Sequence, residues 1–163
     1  MSTNKVIIDK GRVVAARITP NKDLKKEIEH ICEKNNIKCA AILTLLGSLT
    51  ECKLRRVYNT SVKRIAYDTK SGEQINDVEI YDIIKEKGPF EIVSAEGTIS
   101  VNGMHVHLIL SDSNGNLYAG HLLEGNIVFT TAEIFLIELP NVISKRIFDS
   151  STGHNELTLA KED

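Results

Sequence analysis

The sequence predicts an α+β domain, mostly antiparallel β-sheet with one main helix near the N-terminus. Three observations carry this. One stretch has clear helical periodicity, β-branched apolar runs recur along the rest of the chain, and Gly- and Asn-containing turns separate them. At 163 residues the chain fits a single domain. A domain of that size buries roughly 68–70% of its unfolded surface and folds without a disulfide or metal staple. The expected organisation is an N-terminal segment over 1–11, one domain over 12–159 and a tail over 160–163.

Residues 12–18 (RVVAARI) read as the first strand, ended by Thr19-Pro20-Asn21. A helix is expected from Asp23, because Leu24, Ile28, Ile31 and Cys32 fall at i, i+4, i+7 and i+8 on one stripe. Asp23 suits the positive end of the helix dipole, and Asn35-Asn36 suits its stop. Lys38–Leu46 is almost continuously apolar and reads as a buried strand, although periodicity alone also fits a helix. Gly47-Ser48 reads as a turn or bend, and Leu49–Val57 as the next strand.

Residues 71–88 are polar and punctuated by Ser71-Gly72 and Gly88-Pro89, with Val78–Ile84 a short strand or a helical turn. Phe90–Val101 reads as a strand with a bulge or bend at Gly97, and Asn102-Gly103 as a hairpin turn. Strands follow at Met104–Ser111, Leu117–Leu123 and Ile127–Leu139, the last stopped by Pro140. The final 23 residues are more polar and are expected to pack only partly.

Composition excludes several function classes. Twenty basic and 22 acidic side chains leave a charge of −2, so no global field draws the chain to nucleic acid or anionic lipid. Trp is absent and aromatics are 5%, which argues against base-stacking platforms. Three cysteines with no C-x-x-C argue against a disulfide framework and for a reducing compartment. No apolar run is long enough to span a membrane, and the first residues do not resemble a signal peptide. The expected location is the cytoplasm. Phosphate-binding glycine loops and the nucleophile elbow are missing as well. Residues 51–70 carry six basic side chains against two acidic ones. The basic ones alternate as on a solvated strand face, or form an anion-binding or interface patch in which Arg55, Arg56, Lys63 and Arg64 are the candidates.

Three of the five histidines cluster in sequence, at positions 105, 107 and 121. His105 and His107 are i and i+2 on a strand, so their side chains share a face with Cβ atoms about 7 Å apart. Two imidazoles so placed can converge on one metal ion. The place of His121 depends on the intervening turn. A two-residue turn at Asn114-Gly115 puts Leu108 opposite His121 and turns that histidine away. A three-residue loop Ser113-Asn114-Gly115, with Gly115 left-handed, puts His107 opposite His121. A bulge at Ala119-Gly120 has the same effect. Three histidines with a free fourth position make an exchangeable or catalytic zinc-type site, though imidazole also suits iron, nickel and copper. Glu91 and Glu133 are candidates to orient an imidazole from behind. For Glu133 the competing reading is outward alternation on its strand. His30 and His154 read as solvent-facing, and the cysteines as core residues.

The blocks GPFEIVSAEGTIS (88–100) and HVHLILSDSNGNLYAGHLLEGNIVFTTAEIFLIEL (105–139) resemble the PPC ("plants and prokaryotes conserved") domain. Arg17, TPNKDL (19–24), AAILTLLGSL (40–49) and FDSSTGHNEL (148–157) are similar to its opening and closing segments. Ala119 departs from the usual first Gly of the family's GGH, and Pro89 replaces a commoner basic residue. The resemblance implies a single-domain prokaryotic type that assembles as a homotrimer. Plant members bind DNA through AT-hooks, and this chain contains no R-G-R-P. A more distant likeness to acetolactate decarboxylase implies His105, His107 and His121 as ligands of a divalent metal, zinc in that case.

Three functions are therefore weighed. The first is a trimeric metal-binding protein with a small-molecule ligand, a metal-dependent lyase or hydrolase. The second is a DNA-binding or regulatory protein, as the family label suggests. The third is a trimeric interaction scaffold with an exposed apolar or Gly-rich face and no required metal.

Overall fold

The computed structural model describes residues 11–57 and 81–161. Along the chain run β1 (Arg12–Ile18), α1 (Leu24–Lys34), β2 (Cys39–Val57), β3 (Tyr81–Ser100), β4 (Gly103–Asp112), β5 (Leu117–Leu122), β6 (Ile127–Glu138), β7 (Val142–Asp149) and β8 (His154–Lys161). All strand pairs are antiparallel. The fold class is the expected one. No described helix is long and apolar enough to cross a membrane.

Six strands form one sheet in the order β1-β6-β2-β3-β4-β5. One edge of β2 pairs with β3 throughout, whereas the other pairs first with β6 and then with β5, through Leu54–Leu122 and Arg55–His121. The strands β2-β3-β4-β5 therefore close into a ring. Its interior holds Leu54, Val106, Leu108, Leu110 and Leu122, each at most 1% exposed. Alternation does the rest: neighbours of these residues along each strand point outward. Gly120 permits the closure, because a Cβ there would lie 2.7 Å from the Arg55 carbonyl oxygen.

Helix α1 starts where Asp23 accepts a hydrogen bond from the Lys26 amide, so Asp23 is the N-cap itself. Its other carboxylate oxygen accepts from the Gly125 amide at 2.7 Å, tying the helix to the β5–β6 turn. Leu24, Ile28 and Cys32 are buried against the sheet, with Ile31 half-buried beside them. Asn36, at φ 52°, turns the chain out of the helix.

The long strands differ from the sequence reading at two points. Gly47-Ser48 does not end a strand: β2 runs through it, with register shifts on either side against β6. Gly47 is needed for contact rather than for a turn, since a Cβ there would sit 2.3 Å from the Thr131 carbonyl oxygen. Gly88-Pro89 likewise lies within β3, at the shift where Leu49 and Glu51 oppose Phe90 and Lys87. Proline lacks an amide hydrogen, and a bulge is where a strand tolerates it. Gly97 sits in regular register opposite Val106; the bulge in that pairing falls at Ile92/Ser94. Of the segment 78–84, residues 81–84 are strand and 78–80 lie outside the described residues.

The polar C-terminal stretch forms a β-hairpin, β7-β8, in a two-stranded sheet of its own. It is docked, not loose. Ser144, buried to 1% exposure, donates its hydroxyl to the carbonyls of Lys38 and Ile99, and its own carbonyl accepts from the Val101 amide. Asn102, in the β3–β4 turn, accepts from the Arg146 amide at 2.7 Å and donates to the Arg146 carbonyl at 2.9 Å.

Candidate metal centre

The β4–β5 hairpin has the register of the three-residue loop. His107 stands opposite His121 and Ser111 opposite Leu117, and Gly115 has φ 81°. Asp112 holds the loop: its Oδ1 accepts from the Asn114 and Asn116 amides, and its Oδ2 from the Asn116 side chain. These donors, the Asn116 side chain first, keep the Asp112 carboxyl below its ordinary pKa. His105, His107 and His121 consequently share the outer face of the ring, while Val106, Leu108 and Leu122 between them point into the core.

The three imidazoles are close-packed, with ring centroids 4.9, 5.1 and 5.7 Å apart. One nitrogen from each lies within 4.8 Å of the others. Nε2 of His105 and Nε2 of His107 are 3.1 Å apart. Two imidazole nitrogens do not face each other at that distance with both lone pairs free; a proton or a cation must sit between them. Around a tetrahedral zinc, with bonds of 2.0–2.1 Å, ligand nitrogens are roughly 3.3 Å apart. In addition, the His121 Nδ1 is buried and has no hydrogen-bond partner among the described residues. An orphaned buried imidazole nitrogen calls for a bound ion or water. The residues present fit a metal.

Burial favours the neutral form of two of these imidazoles, the form that can coordinate a metal. Burial, then the neighbouring Arg55, pushes the His121 pKa down to about 4. His105 is also held below its ordinary value, by burial first and then by His107 and Arg146.

The triad opens into a cleft of about 740 Å³ whose walls include Arg55, Arg146, His154 and Glu156. Of the basic candidates, Arg55 is directly across the β2–β5 seam from His121. Arg56 lines the cleft rim but is held by Asp82 at 2.7 Å. Lys63 and Arg64 lie outside the described residues. Glu91 and Glu133 are both exposed and neither lines the cleft. Glu133 points outward on β6, opposite Arg17 on β1 and Leu46 on β2, as plain alternation predicts. The carboxylate of the cleft is Glu156. It comes with Arg146 and His154 from the C-terminal hairpin; His154, expected to face solvent, is instead half-buried and lines the cleft, while Arg146 and Glu156 had no expected role. For His154 and Glu156 the signal was present in FDSSTGHNEL (148–157), the stretch that resembles the closing segment of the family; Arg146 lies just before it.

Residues 8–140 match the model of the Plants and Prokaryotes Conserved (PCC) domain. The chain belongs to that family, the PPC domain of the sequence analysis. Among solved PPC-like structures, a hypothetical protein of Salmonella cholerae-suis has 27% identity and a TM-score of 0.75, covering 94% of this chain and 96% of its own. A metal-containing protein of Archaeoglobus fulgidus has 26% identity and a TM-score of 0.69, covering 97% and 99%. A PPC protein of Pyrococcus horikoshii has 25% identity and a TM-score of 0.71, covering 94% and 97%. The likeness to α-acetolactate decarboxylase of Bacillus subtilis is weaker, at a TM-score of 0.43, and carries no chemistry across. This PPC chain spans about a fifth of the length of the curated relatives it matches. These are bifunctional GlmU proteins of two Synechococcus strains, 29% and 30% identical over 90% and 92% of this chain.

Proposed function

We propose that the protein is a homotrimeric, metal-binding PPC-domain protein whose centre holds one divalent ion, zinc in type, on His105, His107 and His121. The observation that carries this reading is the convergence of three imidazole nitrogens within 4.8 Å on an outward face. Three neutral histidines leave the ion charged and one position free toward the cleft, so a bound metal would supply Lewis acidity to an oxygen ligand. The protein's own part is to fix three nitrogens on rigid strands, favour the neutral form of His105 and His121, and line the approach with guanidinium groups. The metal-containing Archaeoglobus relative supports the reading. A trimer is supported by apolar side chains left on the sheet's outer face: Val13, Leu43, Leu46, Phe129 and Phe135 are 41–54% exposed.

The DNA-binding alternative leans on the basic end of β2. There Arg56 is engaged by Asp82 and Arg55 faces His121, which leaves little of that stretch for a phosphate backbone. Retention on DNA that weakens steeply with salt would favour that alternative.

Elemental analysis of the purified protein beside a His105→Ala/His107→Ala double variant tests the metal. The expected result is about one metal per chain, lost in the variant. No metal in either, even after incubation with zinc, overturns the proposal.

A further inference from the structure

The metal centre has an unusual charge environment. Imidazole coordinates as a neutral donor, so a divalent ion held by the triad would keep its full charge. The cleft around it presents three guanidinium groups, of Arg55, Arg56 and Arg146, against one carboxylate, Glu156. Arg56 is compensated by Asp82. Arg146 is not. Its Nη2 donates to the Thr98 hydroxyl at 2.6 Å, its Nε is buried with no partner, and no described carboxylate lies within ion-pair distance of it. A guanidinium has five N–H donors, and a neutral hydroxyl satisfies one.

Its placement is specific. Thr98 is the cross-strand neighbour of His105, so the Thr98 hydrogen bond draws the guanidinium toward the triad. The Arg146 backbone is clamped from both sides by Asn102. Both anchors are on rigid strands or a tight turn, which is how a recognition group is held in one geometry. A partly desolvated, undercompensated arginine beside a metal with an open position is complementary to an oxyanion, because the planar fork matches carboxylate or phosphate oxygens.

We propose that Arg146 anchors a small oxyanion, carboxylate or phosphate, which completes the coordination of a metal held by His105, His107 and His121. The inference rests on the proposed metal centre and names the ligand class for it. Arg55, across from His121, adds to the same positive field.

The test is a titration of cobalt(II)-loaded protein, followed by visible absorption, with acetate in one arm and inorganic phosphate in the other. Wild type, Arg146→Gln and Arg146→Lys are compared, with cobalt content measured for each. A saturable spectral change in wild type that weakens at least tenfold in Arg146→Gln at equal cobalt content supports the proposal. Arg146→Lys, which keeps the charge but not the fork, is expected to fall between. The tighter-binding anion identifies the ligand class. Equal cobalt content with no spectral response to either anion in wild type, or affinities within twofold in Arg146→Gln, overturns the anchor and leaves the metal reading standing. Wild type that takes up no cobalt overturns the metal reading, and this inference with it.

Discussion

Burial acts on the thiols and the imidazoles in opposite directions, and in both cases it favours the neutral form. For His105 and His121 the neutral form is the one that can coordinate a metal. For the cysteines it is the inert form, since the thiolate is the nucleophile. Cys32, Cys39 and Cys52 are free and buried. Burial pushes the Cys32 thiol up to about 11, with Glu29 and Glu33 adding to it, and burial raises Cys52 too. At pH 8 that leaves Cys32 roughly one part in a thousand thiolate. Titration of the native protein with a chromogenic disulfide is therefore expected to find no thiol within minutes, and all three after denaturation. Rapid release from the folded protein would contradict the burial described here. The core role of these residues was legible from periodicity: Cys32 shares the helical stripe of Leu24 and Ile28, Cys39 opens an apolar run, and Cys52 is two residues from Leu54 on one strand face. So was the pairing of His105 with His107, since alternation alone fixes it. Arg146 was not, because its place depends on Asn102 and Thr98, each more than forty positions away.

Among the elements, the β4–β5 hairpin decides whether two histidines become three. Its five-residue turn, Asp112 to Asn116, sets the register, and a slip of one residue would carry His121 to the core face. Deleting Ala119, between the loop and His121, is expected to abolish stoichiometric metal binding by putting Leu108 opposite His121. Gly115→Ala is a different perturbation. Nothing lies within 4 Å of a Cβ there, so the cost is that of a left-handed alanine, about 1 kcal/mol, with metal retained. Metal analysis and thermal melts on the two variants separate register from strain. If the deletion keeps one metal per chain, the β4–β5 register does not set the site. The carboxyl of Asp112 has its pKa lowered in the fold, so its stabilisation is present above the ordinary carboxylate pKa and lost as pH falls through the folded value. The hairpin could be read from Gly115 and the flanking alternation. The continuity of β2 could not, because Gly47 looks like a turn residue and is there to let β6 approach. Nor could the β7-β8 hairpin, whose exposed faces mix Ile147, Phe148 and Leu157 with polar residues and lack a clean period.

At the scale of the whole molecule, two groups of exposed apolar residues lie on the six-stranded sheet, apart from those of the β7-β8 hairpin. One covers the outer face of β1, β6 and β2, where register puts Val13 opposite Ile137, and Phe135 opposite both Ala15 and Thr44. The other, on the outer face of the ring, runs from Val57 at the histidine cleft to Ile83, Ile109 and Leu117, 39–66% exposed. A two-fold dimer buries one patch against itself, whereas a closed ring of three needs two different patches that meet head to tail. The presence of two is what a trimer requires. Phe135→Glu and Leu117→Glu, one in each patch, are accordingly both expected to convert a particle of about three times 18.1 kDa into monomer by light scattering. Dissociation by only one of the two would point to a two-fold contact, and dissociation by neither to association through another face. All three histidines come from one chain, so either monomeric variant is expected to keep about one metal per chain. If metal is lost with the ring, the neighbouring subunit supplies part of the site, and the second patch, which reaches the cleft at Val57, is where that contribution enters.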